Sequence, residues 1–145
     1  MNRKLIIYFD NCCYSRLFDI NALGNVKAQA AKIRHIINNR INGGYIIVGS
    51  PIVMAEIRKT RNAKKLKAIE VLYYGIIVNE VKISAQIVTR AVKLNLMGLG
   101  KMDSFHLAAA EAAEADFLIT TDERFIRKCQ NRNITAVKVI DPLNF

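Results

Sequence analysis

Residues 100–125 read GKMDSFHLAAAEAAEADFLITTDERF, and the change of spacing inside this stretch decides the fold. Apolar residues at helical spacing predict an alanine-rich helix over 102–115. A continuous apolar run then predicts a strand over 117–121, and a new helix opens after Asp122. Asp103 is expected to begin the first helix and Asp122 to cap the second. Both positions set a carboxylate near backbone N–H groups whose partial positive charge favours the ionised form. End capping alone is sufficient reason for either aspartate, so their wider meaning depends on where the other acids fall.

The same alternation extends outward to both ends of the chain. Upstream, Leu5 to Phe9 is a continuous apolar run that suits a strand buried on both faces of a parallel sheet, and it stops at Asp10. A short helical stretch is expected at 14–18. A longer helix follows at 25–41, with Val26, Ala30, Ile33, Ile36, Ile37 and Ile41 forming its apolar stripe until Gly43-Gly44 ends it. Residues 45–48 read as a second strand, and Ser50-Pro51 as a helix start with serine as the cap and proline first inside. Glu56 lies in that helix. A further helix continues through Ile69, Leu72 and Tyr73, Gly75 leads into a third strand at 76–78, and residues 82–97 form a helix presenting Ile83, Ile87, Ala91 and Leu94. Downstream, residues 136–140 alternate around Lys138 as a last strand closed by Asp141-Pro142. The class is α/β: a single domain over 1–145 with a central, mainly parallel sheet flanked by helices.

Composition narrows the field. A chain of 145 residues with 52% hydrophobic content can bury one real core and is too short for two ordinary domains. Apolar runs are broken by Lys, Arg, Asp and Asn, far short of the ~18 residues needed to span a bilayer, so no membrane role is expected. Met1-Asn2-Arg3-Lys4 has the charge of a signal-peptide start, but the apolar run after it ends at Asp10, shorter than the ~7–15 required. Cys12, Cys13 and Cys129 have no zinc spacing and leave an odd thiol, which fits a reducing cytoplasm; as side chains Cys12 and Cys13 read as small buried hydrophobes. Twenty-two Lys and Arg against twelve Asp and Glu give a net charge of +10. The resulting field attracts polyanions, nucleic acid or acidic protein alike.

Topology gives the acids a common address. In open α/β sheets ligands bind beyond the carboxyl ends of strands, and Asp10 and Asp122 each come just after a strand. Glu56 lies in the helix after the second strand, and Asp103 starts the helix that leads back to the strand before Asp122. Four carboxylates in one crevice repel one another unless a cation joins them. Oxygen ligands suit Mg²⁺ or Mn²⁺, and the lack of a Cys/His cluster argues against zinc. Such an ion activates water toward a phosphodiester and stabilises the leaving oxygen. The basic run Arg58, Lys59, Arg61, Lys64, Lys65 and Lys67 begins two residues after Glu56 and could neutralise the phosphates of a nucleic-acid backbone, although a solvated helix face accounts for it equally well.

The order Asp10, Glu56, Asp103, Asp122, with Asp103-x-x-His106-x-Ala108-x-Ala110 and Thr120-x-Asp122-x-x-Phe125, resembles the PIN-domain ribonucleases, and among them the VapC-type toxins of toxin–antitoxin modules. The resemblance spans nearly the whole chain. It implies a Mg²⁺- or Mn²⁺-dependent endoribonuclease with Asp10, Glu56, Asp103 and Asp122 as catalytic and metal-binding residues. Asp116, which precedes a strand, is a weaker metal candidate. It further implies a homodimer and inhibition by a cognate antitoxin, and with an RNA substrate the basic run supplies the expected RNA contacts, Arg58, Lys59, Arg61, Lys64 and Lys65. Asn11 departs from the pattern, since many members carry Thr or Ser after the first aspartate. His106 fits the motif, yet a helical histidine more often packs than catalyses.

Other α/β domains that gather acids at strand ends fit less well. A receiver domain needs a phosphoacceptor Asp after a central strand and a lysine after a later one. A haloacid-dehalogenase-like phosphatase needs Asp-x-Asp where this chain has Asp10-Asn11-Cys12. The stronger rival is a non-catalytic PIN-like module that binds RNA or protein, and its mark would be the loss of one or more of the four acids, all of which are present.

Overall fold

Strand β1 (Leu5–Phe9) lies at the centre of a five-stranded sheet. In the computed structural model, which describes residues 3–19 and 21–145, Ile7, Tyr8 and Phe9 are buried. Met1 and Asn2 of the charged start lie outside the described residues. β2 (Tyr45–Gly49) and then β3 (Ile77–Glu80) extend the sheet on one side, and β4 (Phe117–Ile119) and then β5 (Lys138–Ile140) on the other. Every pairing is parallel. Continuous apolar strands demand cover on both faces, and helices supply it. Among the described residues these are α1 (Asn11–Arg16), α2 (Gly24–Asn38), α3 (Pro51–Ile57), α4 (Ala63–Ile76), α5 (Ala85–Leu96), α6 (Lys101–Ala112) and α7 (Glu123–Gln130).

The element boundaries follow from local hydrogen bonding that periodicity does not register. α1 starts earlier than expected because Asp10 caps it, accepting from the Asn11 N–H. α2 stops at Asn38, where the next residue's side-chain amide and its N–H both donate to the His35 carbonyl. Ile41 is therefore 81% exposed and no part of the stripe. Gly75 and Ile76 belong to α4, so β3 begins one residue later than expected. The Ser84 hydroxyl caps α5 by accepting from the Ile87 N–H at 3.3 Å, which leaves Ile83 outside the helix and exposed. β4 is shorter than expected, although Thr120 still donates its N–H to the Ile140 carbonyl at 3.0 Å.

Two glycines shape the neighbourhood of the site. Gly100, with φ of 98°, turns the chain into α6, so that helix begins at Lys101 and Asp103 falls inside its first turn, where it does not act as the cap. At Gly49 a Cβ would overlap the Tyr73 side chain, which approaches closely enough for its hydroxyl to donate to the Ser50 carbonyl at 3.1 Å. Because the chain leaves β1 for β2 and β3 and later returns to β4 on the other side, the strand order reverses between β1 and β4. In open α/β sheets ligands bind in the crevice at such a point, beyond the strands' carboxyl ends.

Candidate metal centre

Asp10 emerges from the centre of the sheet and is 6% exposed. Its Oδ1 accepts from the Asn11 N–H at 2.7 Å, and its Oδ2 accepts from the Thr120 hydroxyl at 2.8 Å. The carboxylate is thus held from two sides, by the start of α1 and by the end of β4. The family-typical hydroxyl after the first aspartate is missing at Asn11, but a hydroxyl reaches Asp10 from Thr120 across the sheet. Bonds of this kind orient a buried carboxylate.

α3, launched by the Ser50 cap and Pro51, brings Glu56 to the same crevice. Between Glu56 and Asp10 stands His106 of α6, which is 1% exposed. Its Nε2 is hydrogen-bonded to Glu56 Oε1 and lies 3.4 Å from Asp10 Oδ1. The other ring nitrogen, Nδ1, is 2.8 Å from the buried Tyr8 hydroxyl, which in turn lies 2.7 Å from Ser50 Oγ. Ser50 Oγ also accepts from the Val53 N–H at 3.2 Å, so the residue that caps α3 anchors the histidine through Tyr8. Burial raises the Tyr8 pKa well above its ordinary value, and the phenol keeps its proton. Burial alone would lower the pKa of His106, but the Glu56 hydrogen bond and the Asp10, Glu56 and Asp103 charges outweigh it and leave the pKa raised.

Asp103 sits one helical turn before His106 and is half-buried. Its pKa is raised to about 6, first by burial and then by the charges of Asp10 and Asp122. Asp122 is exposed and caps α7, its Oδ1 accepting from the N–H groups of Arg124 at 3.0 Å and Phe125 at 3.3 Å. The crevice therefore has an inner, buried group of Asp10, Glu56 and His106, and a more open side carrying Asp103 and Asp122.

The inner group passes a simple test for a small divalent cation. One ligand atom from each of Asp10, Glu56 and His106 can be chosen so that all lie within 4.8 Å of one another. Ligands on opposite sides of an ion bonded at about 2.0–2.2 Å stand roughly 4.2 Å apart. The Glu56–His106 hydrogen bond would open to admit the ion, and the donor set of two carboxylates and one imidazole is a familiar one for divalent metals.

Asp116 does not join the other acids. It precedes β4, at the opposite end of the sheet, and there accepts from the Ile6 N–H at 2.8 Å and forms a two-pronged ion pair with Arg3 at 2.6 and 3.1 Å. Burial tends to raise its pKa, but the Ile6 N–H and the Arg3 guanidinium outweigh this and hold it below the ordinary carboxylate value. The basic residues also divide. Arg58, Lys59 and Arg61 lie on the exposed connection after α3, and Lys64 in the first turn of α4, none with an acidic partner among the described residues. Lys65 instead pairs with Asp19 at 3.4 Å.

His106 is the residue that sequence reading set aside. Its signals were its fit to the Asp103-x-x-His106 motif and its place one turn after Asp103, which puts both side chains on one helix face. Thr120 stands in the motif with Asp122 but without a role of its own, and Tyr8 gave no signal, because a tyrosine in a buried strand has an ordinary structural reason to be there.

A family model described as PIN domain matches residues 17–131, well over half of the chain. The chain belongs to the PIN domain family. Glu56, Asp103, His106 and Asp122 lie within the matched stretch of this PIN domain. Asp10 precedes it and is tied in by the pairing of β1 with β4. Among solved structures the chain is similar to that of Mycobacterium tuberculosis VapC20, described as a sarcin-ricin loop cleaving toxin, with a TM-score of 0.62 at 11% identity over 91% of this chain and 98% of that one. At that identity the likeness is one of fold. Comparison with curated protein sequences found no match.

Proposed function

We propose that this PIN domain is a Mg²⁺- or Mn²⁺-dependent endoribonuclease and the toxin of a toxin–antitoxin module, with Asp10, Glu56, Asp103 and Asp122 as its catalytic and metal-binding acids. The observation that carries this reading is the crowding of acids at the switch point, where among the described residues no lysine or arginine pairs with them and His106 alone stands between Asp10 and Glu56, while Asp116, at the far end of the same sheet, is neutralised by Arg3. A bound divalent ion supplies activation of water and stabilisation of the charge that develops on the phosphate.

The chain's own residues supply placement and electrostatics. Asn11 and Thr120 fix the direction of Asp10. Asp103, which shares the field of Asp10 and Asp122, carries its charge at a cost in the absence of a cation, and its ionised form is the one the reaction uses. Exposed Arg58, Lys59, Arg61 and Lys64 follow Glu56 directly and offset the repulsion between an RNA backbone and the acidic crevice. Lys64 stands in the first turn of α4, against the helix dipole, where a cation adds to the local positive field at a small cost in helix stability. RNA is therefore the proposed substrate, in the cytoplasm, and a cognate antitoxin and a second copy of the chain are the proposed protein partners. The fold likeness to a toxin that cleaves the sarcin-ricin loop supports the toxin reading.

The test is cleavage of total cellular RNA by purified, antitoxin-free protein with Mg²⁺ or Mn²⁺, alongside folded Asp103→Asn. Wild type should cut, and the variant should bind RNA without cutting. Binding without cleavage by wild type, or equal cleavage by the variant, would replace this reading with that of a non-catalytic RNA-binding module.

A further inference from the structure

We propose that His106 is a direct metal ligand through Nε2, completing a site with Asp10 and Glu56 that prefers a transition ion such as Mn²⁺ over Mg²⁺. The inference rests on the metal-nuclease reading and departs from the expectation of an all-oxygen site.

The argument starts from the second ring nitrogen. Ligating histidines almost always have their other nitrogen held by a hydrogen-bonded partner, which sets the tautomer and the ring orientation. Here Nδ1 is held by the Tyr8 hydroxyl at 2.8 Å, Tyr8 is held by Ser50 Oγ at 2.7 Å, and Ser50 by the Val53 N–H at 3.2 Å. In the metal-free protein Nε2–H donates to Glu56 Oε1; when an ion takes the place of that proton, one assignment satisfies the whole chain, with Nδ1–H donating to Tyr8, Tyr8 donating to Ser50 and the Nε2 lone pair turned to the ion. An edge-on contact between the Tyr8 and His106 rings, with centroids 5.8 Å apart, further restrains the imidazole. A histidine kept for packing alone has no need of Nε2 directed into a carboxylate pair at the crevice where the acids meet.

The choice of metal follows from the donor set. Mg²⁺ is a hard ion that favours oxygen and holds its waters, whereas imidazole suits first-row transition ions. An inner group with one nitrogen and two carboxylates should thus discriminate between the two ions, on the order of tenfold or more in favour of Mn²⁺. Asp103 and Asp122, on the open side, remain to complete the ion's surroundings directly or through water. Tyr8 acts as a positioning residue through Nδ1.

The experiment uses the full chain without a histidine tag, loaded with one equivalent of Mn²⁺ and measured by pulsed electron paramagnetic resonance. The expected spectrum shows nitrogen coupling from a bound imidazole. The coupling should change when histidine alone is labelled with ¹⁵N, persist in His35→Gln and disappear in His106→Gln. Mn²⁺ binding, followed by loss of the free-ion signal, should weaken at least about tenfold in His106→Gln, and the preference over Mg²⁺ should shrink with it. Tyr8→Phe should keep the nitrogen signal and weaken Mn²⁺ binding by up to about tenfold. The labelled wild-type spectrum decides the matter even where His106→Gln fails to fold. Bound Mn²⁺ without histidine coupling, in a protein that still cuts RNA, overturns the inference and leaves the nuclease reading standing. Failure to bind metal together with failure to cut removes both.

Discussion

Asp103 and Asp116 are aspartates of one small domain in opposite electrical circumstances. Asp116, at the amino end of β4, meets an arginine and a backbone N–H, and its pKa is lowered. Asp103, beside the carboxyl ends of β1 and β4, meets burial and two further carboxylates, and its pKa is raised to about 6. A carboxylate that a fold needs for itself is given its counter-charge within the fold. One left among like charges is costly unless something from outside supplies the cation. The contrast separates an acid neutralised within the fold from an acid left among like charges.

The sharpest way to break this contrast is to neutralise each aspartate in turn and measure RNA cleavage. Asp103→Asn should reduce the rate on the order of a thousandfold, through lost stabilisation of the transition state, whereas Asp116→Asn should leave it unchanged. Equal losses in both would mean that the two ends of the sheet do not differ as described.

The basic connection after α3 extends the contrast to cations. Replacing Arg58, Lys59, Arg61 and Lys64 together by Gln should weaken RNA binding by roughly one to two orders of magnitude and flatten its salt dependence by about 0.7 in the logarithmic slope for each lost contact with single-stranded RNA. Lys65→Gln should do less, because Asp19 already neutralises that lysine. A slope unchanged by the fourfold replacement would return these residues to the role of a solvated surface.

A smaller effect should be visible in thermal unfolding. Millimolar Mn²⁺ should raise the melting temperature of wild type by a few degrees, since a ligand bound only by the folded state stabilises it, and a chelator should reverse the shift. Asp10→Asn should blunt the response, and Asp116→Asn should keep it in full.

The smallest expected effect concerns pH in metal-free protein, and its sign differs between the two aspartates. With its pKa raised from 3.8 to about 6, Asp103 binds a proton more tightly in the folded state, so its contribution becomes more favourable as the pH falls from about 6 toward 4. Asp103→Asn should therefore stabilise the metal-free chain at pH 8, by about 1 kcal/mol after allowance for solvent screening, and by nothing near pH 4. Asp116, with its pKa lowered, contributes stability at neutral pH that is lost as the pH falls through the carboxylate range toward its folded value. Asp116→Asn should thus destabilise by about 1 kcal/mol or less at pH 8 and converge with wild type in acid. Melting curves of both variants across that range check the two signs together.

Much of this architecture was legible in the chain. Spacing marked β1 as an apolar run ending at Asp10, Ser50-Pro51 as the start of α3, and Asp122 as the cap of α7. These are local matters, decided by which residues within one or two turns satisfy backbone groups or face a core. The same local evidence placed four acids after strands or in the adjoining helices of an α/β sheet, and with that the candidate crevice. It could not tell which acids meet, because that depends on strand order and on contacts between residues far apart in the chain. Thr120 reaches Asp10 across 110 positions, Tyr8 reaches His106 across 98, and His106 reaches Glu56 across 50. Only the tertiary structure put His106 between two carboxylates, gave Asp116 its arginine and gave Lys65 its aspartate. Each of those outcomes is a distance between side chains carried by different elements, and a sequence records the periodicity of an element without recording what will lie opposite it.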